Sequence, residues 1–101
     1  MINIQELSPI IGIYKIVSTS GKIYIGQSTD INNRKKQYLK NYPNNQPKIQ
    51  NSISKYTFEN HKFDIIEECS LELLNERETF WKSYYLEQNN NDWSNWIVLF
   101  S

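Results

Sequence analysis

The sequence predicts an α+β fold in the order β-β-α-α-β-α. Three observations carry this. Two β-rich runs, Ile10 to Val17 and Lys22 to Gly26, are joined by the turn-forming Ser18-Thr19-Ser20-Gly21. Apolar residues recur at spacings of three and four in three later stretches, the mark of helices with one buried face. A third β-rich run, His61 to Glu67, separates the second stretch from the third. The chain has 101 residues, enough for one domain and too few for two. Hydrophobic residues make up only 39%, but aromatics reach 14%, and large rings bury enough area each to close a small core.

Residues 1–9 lack periodicity and end at Pro9, so they read as a lead-in arm to a domain spanning 10–88. In the first hairpin, a register with Tyr14 opposite Tyr24 would set Ile16 against Lys22 and Gly12 against Gly26. Side chains alternate along a strand, so both phenols would share a face. Ser28-Thr29-Asp30 supplies a capping oxygen for the first helix. Its stripe is Ile31, Arg34, Tyr38 and Tyr42, and Pro43 ends it. Pro47 suits the first turn of a second helix, with Ile49, Ile53 and Tyr56 on its apolar face. In the third strand Phe63 and Ile65 share a side. Ser70 is placed to cap a third helix, whose stripe is Leu74, Glu78, Trp81 and Tyr85. Beyond Asn89-Asn90-Asn91-Asp92 comes an apolar tail, residues 89–101 in all. Its Trp93, Trp96 and Ile97 to Phe100 could close the core as a late strand or helix, or dock on a partner.

The net charge is zero, so nothing global announces a polyanion partner. The distribution is uneven. Residues 1–42 hold six bases against Glu6 and Asp30, whereas residues 43–101 hold five bases against nine acids. A phosphate-facing surface therefore belongs to the first half if anywhere. Cys69 is the one cysteine and His61 the one histidine, which excludes an internal disulfide and argues against a zinc site. With no apolar run near 20 residues and no signal peptide, the chain reads as soluble and intracellular, in the cytoplasm or at the nucleoid or nucleus of its host.

Two residues break a local rule. Arg34 and Glu78 each sit in an otherwise apolar helical stripe, where a charge is costly unless it is paired or binds something. One reading is a salt bridge between them, or an arginine whose head reaches water. The other places both in a cleft with the tyrosine face of the hairpin. There Arg34 would hold a phosphate through its planar fork. Glu78 would be a hard oxygen ligand suited to Mg²⁺. Several of the seven tyrosines must simply pack in the core.

Taken together, these residues resemble the GIY-YIG nuclease family over roughly residues 10–88. Gly12-Ile13-Tyr14 and Tyr24-Ile25-Gly26 match its two name motifs. Gln27 to Ile31 followed by Arg34 is similar to its glycine-to-arginine segment. Tyr38 falls where members carry His or Tyr, and Asn75 to Trp81 looks like its glutamate helix, with Glu78 as metal ligand. The match is nearest to homing-endonuclease-like catalytic domains. The resemblance implies a three-stranded antiparallel sheet flanked by helices, and hydrolysis of DNA phosphodiesters with Mg²⁺ or Mn²⁺. It implies Tyr14 as proton acceptor for water, Tyr24 as an orienting hydroxyl, Arg34 with assistance from Tyr38 on the phosphate, and Glu78 on the metal. Lys22 is a candidate phosphate contact or a plain strand-end charge. The family's Gly-Tyr-Asn segment has no clear counterpart, and the tail is left for a dimer or targeting partner. The competing reading is a catalytically silent fold that binds DNA or protein.

Overall fold

The computed structural model describes residues 9–19, 21–40, 47–88 and 97–98. In chain order the elements are β1 (Gly12–Val17), β2 (Ile23–Ser28), α1 (Ile31–Leu39), α2 (Pro47–Tyr56), a 3₁₀ turn (Phe58–Asn60), β3 (Lys62–Glu68), a second 3₁₀ turn (Leu71–Leu73), α3 (Leu74–Gln88) and the two-residue β4 (Ile97–Val98). This is the expected α+β order. β1, β2 and β3 form the antiparallel sheet with β1 in the middle, and β4 adds to the far edge of β2 in parallel. Ile97 and Val98 thus belong to a late strand. The lead-in arm through residue 8, Tyr42, Pro43, the break at 89–92 and the tryptophans at 93 and 96 lie outside the described residues.

Strand alternation sends the two faces of the sheet to two separate cores. Tyr14 and Ile16 of β1 and Tyr24 of β2 face α1 and α2, joining Ile31, Tyr38, Ile49 and Ile53. Ile13 and Ile25 face the other way, onto Leu74, Trp81 and Tyr85 of α3. The expected stripes of α1, α2 and α3 are therefore the faces that pack, as far as they are described.

The hairpin register differs from the expected one by two residues. Tyr14 lies opposite Gly26, Ile16 opposite Tyr24, and Gly12 opposite Ser28. The cause is Gly21. The expected register would pair it with Val17 in the ladder. Instead Gly21 takes φ 88, a left-handed conformation natural only to glycine, and its N–H closes the turn on the Ser18 carbonyl at 2.9 Å. Ser18 then pairs with Lys22 through a 2.9 Å backbone bond. A shift of two preserves side-chain parity, so Tyr14 and Tyr24 still share a face.

β3 carries a bulge. Tyr14 pairs with Ile65 and Ile13 with Glu67, leaving Ile66 as the extra residue. Ile66 and Glu67 consequently both turn toward α3, where Ile66 packs and Glu67 accepts bonds from Arg77 Nε at 2.8 Å and Trp81 Nε1 at 2.9 Å. Beside the bulge the β3 backbone leaves no room at Gly12. A Cβ there would overlap the Glu67 carbonyl oxygen and lie 2.9 Å from Glu68 Cα. Phe63 joins the tyrosine-side core, whereas Ile65, on an edge strand, stays exposed.

Helix boundaries follow their caps. Asp30 caps α1, its carboxylate accepting from the Asn33 N–H at 3.1 Å, and the Ile31 N–H bonds the Ile10 carbonyl at 2.9 Å. α1 ends at Leu39 with Lys40 as its C-cap, short of the proline expected to stop it. Ser70 does not cap α3. It precedes the 3₁₀ turn with extended backbone and makes no side-chain cap bond, and the α-helix begins at Leu74.

Candidate active site

Tyr14 is the centre of the site. β1 delivers its ring into an aromatic cluster, stacked on Phe63 at 5.1 Å and edge-on to Tyr38 at 5.9 Å between centroids. α1 brings Tyr38 over the sheet so that the two hydroxyls meet at 2.6 Å, and each residue is only 1% exposed. This pair was not expected. Sequence reasoning joined Tyr14 to Tyr24 and gave Tyr38 a lesser part.

Tyr24 leaves the same face toward a different helix. It lies beside Ser52 of α2, whose hydroxyl bears on its proton affinity. Burial raises the affinity of Tyr24 for its proton, partly opposed by Ser52. Tyr14 is driven further, well above the ordinary phenol range, first by burial and then by the Tyr38 phenol. Two charges act on it from opposite directions: Arg34 lowers its proton affinity and Glu78 raises it.

Arg34 sits on α1 one turn before Tyr38, half-buried. Among the described residues it pairs with no carboxylate. The salt-bridge reading with Glu78 does not hold, because Glu78 has other partners. Glu78 comes from α3, the layer across the sheet from Tyr14, and is 8% exposed. Its Oε1 accepts from Gln27 Nε2, and its Oε2 lies 3.3 Å from Lys82 Nζ one turn along the helix. Gln27 donates also to Asn75 Oδ1 at 2.8 Å. Lys22 stands apart, exposed on the hairpin turn.

Sequence reasoning missed Gln27, Lys82 and Ser52. A signal existed for each: Gln27 is polar at a strand position that faces α3, Lys82 is four residues after Glu78, and Ser52 follows Ile49 by three on the packed side of α2.

Among the described residues no three His, Cys, Asp or Glu side chains gather into a metal cage. What the protein offers a divalent ion is one hard carboxylate, already held beside a cation, Lys82. One carboxylate with waters and substrate oxygens is a donor set that Mg²⁺ accepts. The group fits on those terms, with the Lys82 ammonium displaced.

Buried phenols, an arginine that pairs with no carboxylate among the described residues and a glutamate beside a lysine, on a three-stranded antiparallel sheet with helices on both faces, define the class. The GIY-YIG catalytic domain model matches residues 10–91, and the chain belongs to the GIY-YIG family. Among solved structures it is similar to the catalytic domain of the intron endonuclease I-TevI, in a glutamate-to-alanine mutant form, at 29% identity and a TM-score of 0.59. That match covers 74% of this chain and 82% of the other. No curated protein sequence matches the chain. Among the described residues no helix is long and apolar enough to cross a membrane.

Proposed function

We propose that this chain is a divalent-metal-dependent DNA endonuclease that hydrolyses phosphodiester bonds. The observation that carries the reading is a buried, hydrogen-bonded pair of phenols, Tyr14 and Tyr38, with Arg34 one helical turn from Tyr38 and pairing with no carboxylate among the described residues. Tyrosines that only pack need no such arginine.

Arg34 offers its planar donor fork to the phosphoryl oxygens and stabilises the charge that builds on them. Tyr14 keeps its proton at neutral pH, because burial and Tyr38 both favour the neutral form. It therefore acts first as a fixed hydroxyl that orients the attacking water. Its strength as a base grows with the positive charge beside it. Tyr38 holds that hydroxyl in place, and Tyr24 orients water or phosphate by hydrogen bonding. Glu78, steadied by Gln27, is the residue that would hold Mg²⁺ or Mn²⁺. When bound, such an ion supplies Lewis-acid polarisation of the scissile phosphate and leaving oxygen. Exposed Lys35, Lys36 and Lys40 give α1 a basic surface for DNA, and Lys22 is left for a flanking phosphate. With zero net charge, binding by this chain is weak and little dependent on sequence.

The test is nicking of supercoiled plasmid in Mg²⁺ against EDTA. Wild type nicks only with the metal, and Glu78→Ala abolishes nicking with its circular dichroism unchanged. Full activity in that variant removes the metal role. A wild type inert in both Mg²⁺ and Mn²⁺ overturns the reading in favour of a silent DNA- or protein-binding module.

A further inference from the structure

We infer that Lys82 is a resident counter-cation of Glu78 which a divalent ion must displace, and that it thereby sets the metal affinity of the site. The inference deepens the nuclease reading and rests on its assignment of Glu78 as the metal ligand.

The two oxygens of Glu78 are held in unlike ways. Oε1 is anchored across the junction of sheet and helix, where Gln27 Nε2 of β2 donates to it at 2.5 Å. The same Nε2 donates to Asn75 Oδ1 at 2.8 Å. An amide nitrogen carries two hydrogens, so each has its own acceptor. Asn75 and Glu78 are three residues apart on α3 and share a face, so Gln27 is gripped at two points along one helix. Oε2 instead lies 3.3 Å from Lys82 Nζ, four residues along the same helix. That ammonium sits at the end of a flexible four-carbon stem.

Burial differs in the same sense. The Glu78 side chain is 10% exposed and that of Lys82 25%. A carboxylate shut from water in a stripe with Leu74, Trp81 and Tyr85 is costly without a partner, and the ammonium offsets that cost in the resting protein. The ammonium itself has a route to solvent. An ordinary ion pair on an open helix face contributes little and can be removed without consequence. Here one member is buried and the other can swing out.

When Lys82 swings away, Gln27 still fixes Oε1. The carboxylate keeps its direction, and Oε2 is freed as a hard oxygen donor. Lys82 stays tethered one turn off. Loading a dication therefore breaks one ion pair and leaves a like charge nearby. Lys82 thus stabilises the metal-free protein and weakens metal binding.

The experiment is titration of the full chain with Mn²⁺ at constant ionic strength and without DNA, counting the free ion by its electron paramagnetic resonance signal. Glu78→Gln marks the site, since the binding it loses belongs to Glu78. Lys82→Met, which keeps the stem and drops the charge, binds Mn²⁺ at that site about tenfold more tightly than wild type. Lys82→Gln does the same and takes its place if Lys82→Met fails to fold. Lys82→Arg keeps the charge and stays at the wild-type affinity or below. A second readout is the thermal unfolding midpoint by circular dichroism. In EDTA Lys82→Met melts below wild type, and Mn²⁺ raises its midpoint by more than it raises that of wild type. Affinity in Lys82→Met equal to or weaker than in wild type, or no binding in either, overturns the inference. Mn²⁺ bound equally by wild type and Glu78→Gln overturns the metal assignment of the nuclease reading, and this inference with it. Binding lost in Glu78→Gln but unchanged in Lys82→Met overturns the role of Lys82 alone.

Discussion

The Tyr14–Tyr38 hydrogen bond can be weighed by removing one hydroxyl at a time. Tyr38→Phe keeps the ring that packs against Phe58 and deletes the partner of the Tyr14 hydroxyl at 2.6 Å. Tyr14 is 1% exposed in the resting protein, so bulk solvent does not replace that partner. The cost is then that of a buried hydroxyl left unsatisfied, about 1–3 kcal/mol. Tyr14→Phe/Tyr38→Phe removes that orphaned group as well. Replacing both members of a buried pair by apolar groups of the same shape is close to neutral. The double variant is therefore expected to recover part of the loss seen in Tyr38→Phe, with a coupling energy of about 1–2 kcal/mol in a double-mutant cycle. Urea unfolding at pH 7 measures all four proteins, with stability read from midpoints at constant slope. If the two substitutions are additive, the hydroxyls do not depend on each other and the pair has no special place in the site.

Three further outcomes are expected. Gly12→Ala costs about 3 kcal/mol or fails to fold, because its Cβ meets β3 backbone, which cannot move aside as a side chain could; thermal unfolding checks it. Arg34→Lys leaves the unfolding midpoint nearly unchanged, since Arg34 pairs with no carboxylate among the described residues, but cuts nicking by at least about 10²-fold for want of the bidentate fork; near-wild-type rates would return Arg34 to a surface role. Stability falls above about pH 10, because Tyr14 and Tyr24 bind their protons more tightly folded than unfolded. That contribution is complete below the ordinary phenol range and is lost as pH rises past it, with Tyr14→Phe giving a shallower decline in urea midpoints between pH 9 and 11.

The element order was legible because each signal was local. Turn residues flank the hairpin, Asp30 caps α1, and the stripes of α1 and α3 carry their own periods. Registers were less legible. The hairpin turned on whether Gly21 sits in the ladder or in the turn, a choice of backbone conformation that composition does not announce. The β3 bulge is likewise invisible in Phe63 to Glu67, which reads as an ordinary strand. In the site, residue types were legible and pairings were not. Arg34 and Glu78 stood out as charges in apolar stripes, but whether they met each other depended on which face of the sheet each helix covers. The pairing of Ser52 with His61 was not legible, since it exists only once α2 and the turn after it are folded.

The two-sided arrangement accounts for two unlike charges held in apolar helix stripes without pairing with each other. Tyr14 faces α1 and α2, and Glu78 belongs to α3 on the other side of the sheet, so arginine and glutamate sit in opposite layers. If they shared a layer they would neutralise each other, and the arginine fork would be spent on a carboxylate. The sheet keeps them apart. Gly26, directly opposite Tyr14 on β2, contributes no side chain to the gap, and Gln27 beside it reaches to Glu78 on the other face. The glutamate is meanwhile screened by Lys82, a cation on its own helix that leaves the arginine alone. The Tyr-Ile-Gly-Gln run of β2 thus divides by strand parity: the phenol and the glycine face the α1 and α2 layer, and the isoleucine and glutamine face α3 and its glutamate.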